Sequence, residues 1–166
     1  LTPQWPAAGV HLTPPGAVGD FSLAAAGDGG AFVAWTDGPY SLAAVRLLRL
    51  DGGGSPAPGW PAEGASVVSA RLSPGMVRVA ADGSGGACVA WADVRNVPGG
   101  TMSDLRVARV LGDGSLAPGW PVSGVVVGTS PYAPALHAHS TIVPDGAGGC
   151  YVGWADLYQP GSRVSG

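Results

Sequence analysis

The block Gly29-Gly30-Ala31-Phe32-Val33-Ala34-Trp35-Thr36-Asp37 returns twice along the chain. It reappears as Gly85-Gly86-Ala87-Cys88-Val89-Ala90-Trp91-Ala92-Asp93 and as Gly148-Gly149-Cys150-Tyr151-Val152-Gly153-Trp154-Ala155-Asp156. Its tryptophans are 56 and 63 residues apart. A second block, Gly59-Trp60-Pro61 followed by Gly64, is matched by Gly119-Trp120-Pro121 with Gly124, and a diverged copy opens the chain as Gln4-Trp5-Pro6 with Gly9. The tryptophans of that block are 55 and 60 residues apart. Two independent motifs on one period make an internal repeat. Such repeats are supersecondary units that bury their apolar faces only by stacking on their neighbours.

Each period holds four short strand-like runs, A to D. In the middle period A is about Met76–Ala81, and Asp82-Gly83-Ser84-Gly85-Gly86 forms a tight turn in which glycine supplies positive φ. B is Ala87–Trp91, an apolar run suited to a strand buried on both faces. A loop is expected from Asp93 to Asp104, then C over Leu105–Leu111, a turn at Gly112-Asp113-Gly114-Ser115, and D at about Val125–Val127. No segment shows helical periodicity; the apolar stretch Leu42–Leu50 aligns with strand C. Four antiparallel strands repeated at this spacing point to an all-β fold, a β-propeller of four-stranded blades, about three in this chain. A β-sandwich would not repeat Trp-x-Asp, and solenoid coils are shorter than this period. The chain divides into a spare strand over 1–15, blade one over 16–70, blade two over 71–128 and an incomplete blade three over 129–166. Three blades should not close a ring, since propellers have about 4–8. Open edges invite association, so the expected partners are further copies of the chain or missing blades of a longer protein.

Composition narrows the function classes. Glycine and proline together reach about 27% of the 166 residues, a level that signals disorder only without a period. Hydrophobic residues make up 46%, enough for a core. Net charge is −3, there is no lysine, and the eight arginines are scattered, so the basic stripe of a nucleic-acid binder is missing. No apolar run reaches the roughly 18 residues of a membrane span. The chain opens at Leu1 without a signal-peptide pattern, as a processed or excised piece would. The residue bias, rich in Ala, Gly, Pro, Arg and Val with a single asparagine, fits a high-GC bacterial source.

The pattern Asp-Gly-x-Gly-Gly-(four residues)-Trp-x-Asp, followed by Asp-Gly-Ser-x-Ala-Pro-Gly-Trp-Pro, resembles the blade repeats of large secreted bacterial β-propeller proteins. It lacks the signatures of WD40, kelch and sialidase Asp-box repeats. The resemblance covers nearly the whole chain and implies an extracellular or cell-surface location. It implies no activity, because propellers host many unrelated functions.

Each candidate site competes with a structural role for the same residues. Trp35, Trp91 and Trp154 could stack on sugars, but aromatics on strand B are read as core between blades. Trp60 and Trp120 are expected to pack under the C–D loop. Asp37, Asp93 and Asp156 could be acidic ligands; their repetition favours carboxylates that accept backbone N–H bonds and fix the B–C turn. The Asp-Gly turns (Asp28, Asp82, Asp113, Asp145) supply one carboxylate each, short of the 6–8 oxygens calcium takes. His137 and His139 share a strand face, with Asp145 or His11 as further zinc ligands in principle, short of an argued set. Cys88 and Cys150 lie on opposite faces by strand parity, which argues against an intrachain disulfide and for buried free thiols. No nucleophile elbow occurs, and no cofactor is implied.

The B–C loops (Asp37–Ser41, Asp93–Asp104, Asp156–Ser162) and D–A links (Thr13–Asp20, Ala70–Gly75, Gly128–His137) vary in length while the other turns do not. Binding tends to live on such loops, which singles out Arg95, Asn96, Tyr132, His137 and Tyr158. The reading is a non-enzymatic extracellular structural or interaction module that assembles head to tail into rings or filaments through open blade edges. The alternative is a propeller binding carbohydrate or a small ligand on the variable loop face; a fragment of a hydrolase or lyase is the third option.

Overall fold

The computed structural model describes residues 8–12, 18–38, 43–98, 100–129 and 135–158, with side chains at all of these except 18, 69–74, 97, 100–101, 135–139 and 157–158. The protein is all-β, with no helix among the described residues. Nine strands follow in chain order: β1 (Val18–Ala25), β2 (Ala31–Asp37), β3 (Ala43–Leu50), β4 (Ala65–Ala81), β5 (Ala87–Val97), β6 (Gly100–Val110), β7 (Val125–Thr129), β8 (Ala135–Pro144) and β9 (Cys150–Tyr158).

Pairing follows the repeat. β1, β2, β3 and the first half of β4 form an antiparallel set, unit one. The second half of β4 pairs with β5, β5 with β6 and β6 with β7, giving unit two. β8 and β9 are the antiparallel start of unit three. The three first strands carry a register shift at the same place, at Val18/Phe21, Gly75/Arg78 and Ala138/Thr141, so each bends just where it passes the unit's Trp-x-Asp block. In unit two that bend puts Met76 at φ 52, a positive value rare for a side-chain-bearing residue.

Two expected loops are strands. The link Ala70–Gly75 lies inside β4, which runs unbroken for 17 residues and changes partner midway: Leu72 still pairs with Ala43, and Ser73 already pairs with Val94. Pro74 sits at this changeover, where a missing N–H is tolerated because the strand serves one neighbour at a time. The loop Asp93–Asp104 is the far end of a hairpin, with Asp93↔Asp104, Val94↔Ser103, Arg95↔Met102, Asn96↔Thr101 and Val97↔Gly100 in unbroken register. Pro98 begins the turn between the strands. β5 and β6 are therefore both longer than the runs expected for strands B and C.

The core lies between units. Phe32, Ala34, Leu47 and Trp60 of unit one join Val77, Val79, Val89 and Trp91 of unit two in one buried cluster. Phe32 and Trp60 meet edge to face at 6.1 Å. The Trp60 indole N–H donates to the Gly112 carbonyl of unit two at 2.8 Å. Trp60 is thus buried under the next unit's C–D turn rather than its own. Along the first strands, Arg78 of unit two donates to the Ser140 carbonyl of unit three at 3.0 Å and faces Asp20 of unit one at 3.5 Å, while the Val79 N–H donates to Ser22 Oγ. One arginine thereby ties three units together.

Candidate interaction faces

Strand parity gives each unit two faces. In unit one Phe21, Leu23, Val33 and Trp35 share one face, because Phe21 opposes Trp35 and Leu23 opposes Val33; call it leading. Ser22, Phe32 and Ala34 lie on the other, trailing, face. Each internal junction sets a trailing face on the next unit's leading face: Ser22 meets Val79, and Cys88 clusters with Ile142, Cys150 and Val152.

This stacking covers the inner positions and leaves two faces bare. The leading pair Val77 and Val79 of unit two is 0% and 6% exposed, and Ser140 and Ile142 of unit three 5% and 9%. Their counterparts in unit one, Phe21 and Leu23, are 63% and 59% exposed. On the trailing side Phe32 and Cys88 are fully buried, whereas Tyr151 in the same repeat position is 68% exposed, with Val143 beside it at 50%. Phe21, Leu23, Val33 and Trp35, with Ala8–Leu12 as a rim, enclose a groove of about 370 Å³.

The repeated tryptophans pack on a glycine. Gly64 has φ +79, and a Cβ on it would fall 2.5 Å from Trp35 Cη2; Gly124, at φ +71, would meet Trp91 Cη2 at 2.4 Å. Only glycine permits both the backbone angle and the approach. Gly9, at the same place in the opening copy of the Trp-Pro block, has φ +80 and open space where those contacts form. Trp154 is 41% exposed.

Asp37 and Asp93 of the Trp-x-Asp block each pair with an arginine of the neighbouring strand. Arg46 Nε donates to Asp37 at 2.8 Å and Arg106 Nε donates to Asp93 at 3.1 Å, cross-strand between B and C. A second arginine three residues on holds the A–B turn: Arg49 donates to Asp28, and Arg109 donates twice to Asp82. Four of the arginines that look scattered in the sequence thus form a two-rung ladder repeated in both complete units. The turn carboxylates accept backbone N–H groups: Asp82 from Ser84 and Gly86, Asp145 from Ala147 and Gly149. Burial pushes Asp82 up, but hydrogen bonds from Ser84 and Arg109 outweigh it and its carboxyl lies below the ordinary value.

Unit two adds a polar cluster at its extended hairpin. Asp104 stands where unit one has Ala44, and it accepts from Arg95 and, at 3.1 Å, from Thr129. Burial pushes Asp104 up, yet those hydrogen bonds bring it below the usual range; burial pushes Asp93 up against the attraction of Arg106 and wins. Arg95 is therefore engaged within the unit, although its side chain reaches the surface alongside exposed Asn96.

Of the other positions singled out by loop length, Tyr132 lies outside the described residues, and His137 and Tyr158 are described in backbone alone, opposite Asp156 and Ala135. The side chain of His139 is likewise outside them. The structure brings Arg95 and Asn96 together on one hairpin. Trp35 and Trp91 are core, and Trp120 packs at the second junction. Asp156 and Trp154 are exposed on β9. Among the described residues no cluster of three or more His, Cys, Asp or Glu could hold a metal ion, and no helix is long and apolar enough to cross a membrane. The bare faces carry no motif, because their residues are ordinary apolar strand positions. The signal that marks them is the contrast between each residue and its repeat counterpart.

Comparison with protein-family models, with curated proteins and with solved structures finds no match.

Proposed function

We propose that the chain is a non-enzymatic structural module whose units are propeller blades and whose partner is a second copy of itself, docked head to tail. The observation that carries this reading is the bare pair of faces. Phe21 and Leu23 expose what Val77 and Val79 bury, and Tyr151 exposes what Phe32 and Cys88 bury. A surface already complementary to a sister surface twice within the chain is complementary to it a third time. The trailing face of one copy (Val143, Tyr151) covers the leading groove of the next (Phe21, Leu23). In that arrangement Gly9 meets Trp154 of the neighbour, as Gly64 meets Trp35 and Gly124 meets Trp91. The contact is heterologous, so it closes to a ring or extends as a filament according to the rotation per copy. An extracellular setting belongs to the same reading and rests on the resemblance of the repeat alone.

Sedimentation of the chain over a concentration series tests this. A mass rising with concentration is expected, together with a shift to monomer on Leu23→Glu, which puts a charge in the groove without touching the internal junctions. A monodisperse monomer of the unaltered chain at all concentrations would overturn the proposal.

A further inference from the structure

We propose that Cys88 and Cys150 are a dithiol that closes to a disulfide, pinning unit three covalently to unit two. Strand parity does place the two on opposite faces, but opposite faces stay apart only within one sheet layer. These cysteines belong to different units, and units stack trailing face on leading face. Cys88 occupies the trailing position of Phe32 and Tyr151; Cys150 occupies the leading position of Ala31 and Ala87. Opposite parity is what brings them together.

The two side chains share one apolar cluster with Ala80, Ala90, Val107, Ile142 and Val152. Both are free thiols and they are the only cysteines of the chain, so no other pairing within it competes. Their access differs: Cys88 is buried and Cys150 half-buried. The neighbouring Cys150 side chain and burial together hold Cys88 far above the ordinary thiol range, while the Cys88 side chain holds Cys150 below its own. Cys150 is thus both the reachable sulfur and the one that ionises first, which makes it the attacking group.

The oxidant is a small disulfide, RSSR. The Cys150 thiolate attacks one sulfur, a Cys150–SR bond forms, and RS⁻ leaves and takes a proton. Cys88 then gives up its proton and attacks the Cys150 sulfur, and the second RS⁻ departs and takes that proton. Two protein thiols lose two electrons and two protons, and one RSSR becomes two RSH. Because the bridge closes a long loop of chain, it is expected to raise Tm by roughly 10 °C.

The test is exposure of the reduced, folded chain to glutathione disulfide, followed by alkylation in denaturant and mass measurement. The expected product is a monomer lighter by about 2 Da than the reduced chain, with no alkylatable thiol. Cleavage after arginine should link the peptide carrying Cys88 to the one carrying Cys150, and dithiothreitol should reverse the Tm increase. Cys88→Ser should stop at a single glutathione adduct on Cys150. Two thiols still alkylatable, stable glutathione adducts on the unaltered chain, or dimers linked between chains would each overturn the proposal. Peptide mapping of the unaltered chain needs no variant, so it decides the matter even if Cys88→Ser misfolds.

Discussion

Replacing Gly64 by alanine probes the contact on which unit one closes. A Cβ there would lie 2.5 Å from Trp35 Cη2, 3.1 Å from Cζ2 and 3.2 Å from the Leu47 carbonyl. Trp35 is itself only 3% exposed and packed into the core cluster. Overpacking of this kind costs about 1–3 kcal/mol. The backbone adds to it, since φ is +79 and a left-handed conformation costs an alanine about 1–2 kcal/mol. The expected loss is about 3–4 kcal/mol, or near 10 °C in Tm for a chain of this size. Gly59 supplies the control: its φ is +86, but nothing lies within 4 Å of its Cβ position, so Gly59→Ala carries the backbone cost alone. Urea unfolding followed by tryptophan fluorescence measures both. If the two variants lose the same stability to within about 0.5 kcal/mol, the glycine–tryptophan contact does not hold the unit together.

Trp60→Phe should keep the contact with Phe32 but lose the hydrogen bond to the Gly112 carbonyl, costing about 1–3 kcal/mol by leaving that acceptor unsatisfied, as read by urea midpoint. Asp82 and Asp104 have folded pKa values below the ordinary carboxylate value of 3.8, so their stabilisation is complete above that pH and disappears as pH falls through the folded values. Thermal unfolding should hold steady to about pH 5 and collapse below about pH 4; Asp82→Asn should be less stable than the unaltered chain at pH 7, the gap narrowing toward pH 2–3. Asp93 works in the opposite sense, since its raised pKa means that its charge costs stability at neutral pH and that cost is relieved on acidification. Gly9→Ala should cost the fold only the backbone strain of an alanine at φ +80, about 1–2 kcal/mol, because nothing lies within 4 Å of that position, and weaken self-association.

Much of the fold is legible in the sequence, because a repeat states its own boundaries. The run Ala87–Trp91 and the Asp-Gly turns are strands and turns as their residue chemistry demands. What the sequence hides depends on partners far along the chain. Ala70–Gly75 holds a proline and a glycine, the usual marks of a loop, yet it is strand because β3 and β5 each offer it an edge. Asp93–Asp104 carries charges and the run Pro-Gly-Gly-Thr in its middle, and becomes a hairpin because Asp93, Arg95, Asp104 and Arg106 neutralise one another across it. The meeting of Cys88 with Cys150 is hidden for a third reason: parity within a strand carries no information about which units face each other. The arginine ladder is hidden because its partners, Asp37 for Arg46 and Asp82 for Arg109, lie on other strands or turns.

Head-to-tail docking makes a demand that no symmetric contact shares. Leu23→Glu spoils the leading face and keeps the trailing one; Tyr151→Glu does the reverse. Each variant alone should sediment as a monomer. An equimolar mixture should form a dimer of one copy of each, since one intact leading face and one intact trailing face remain. A mixture that stays monomeric, or a variant that assembles alone, would contradict the account.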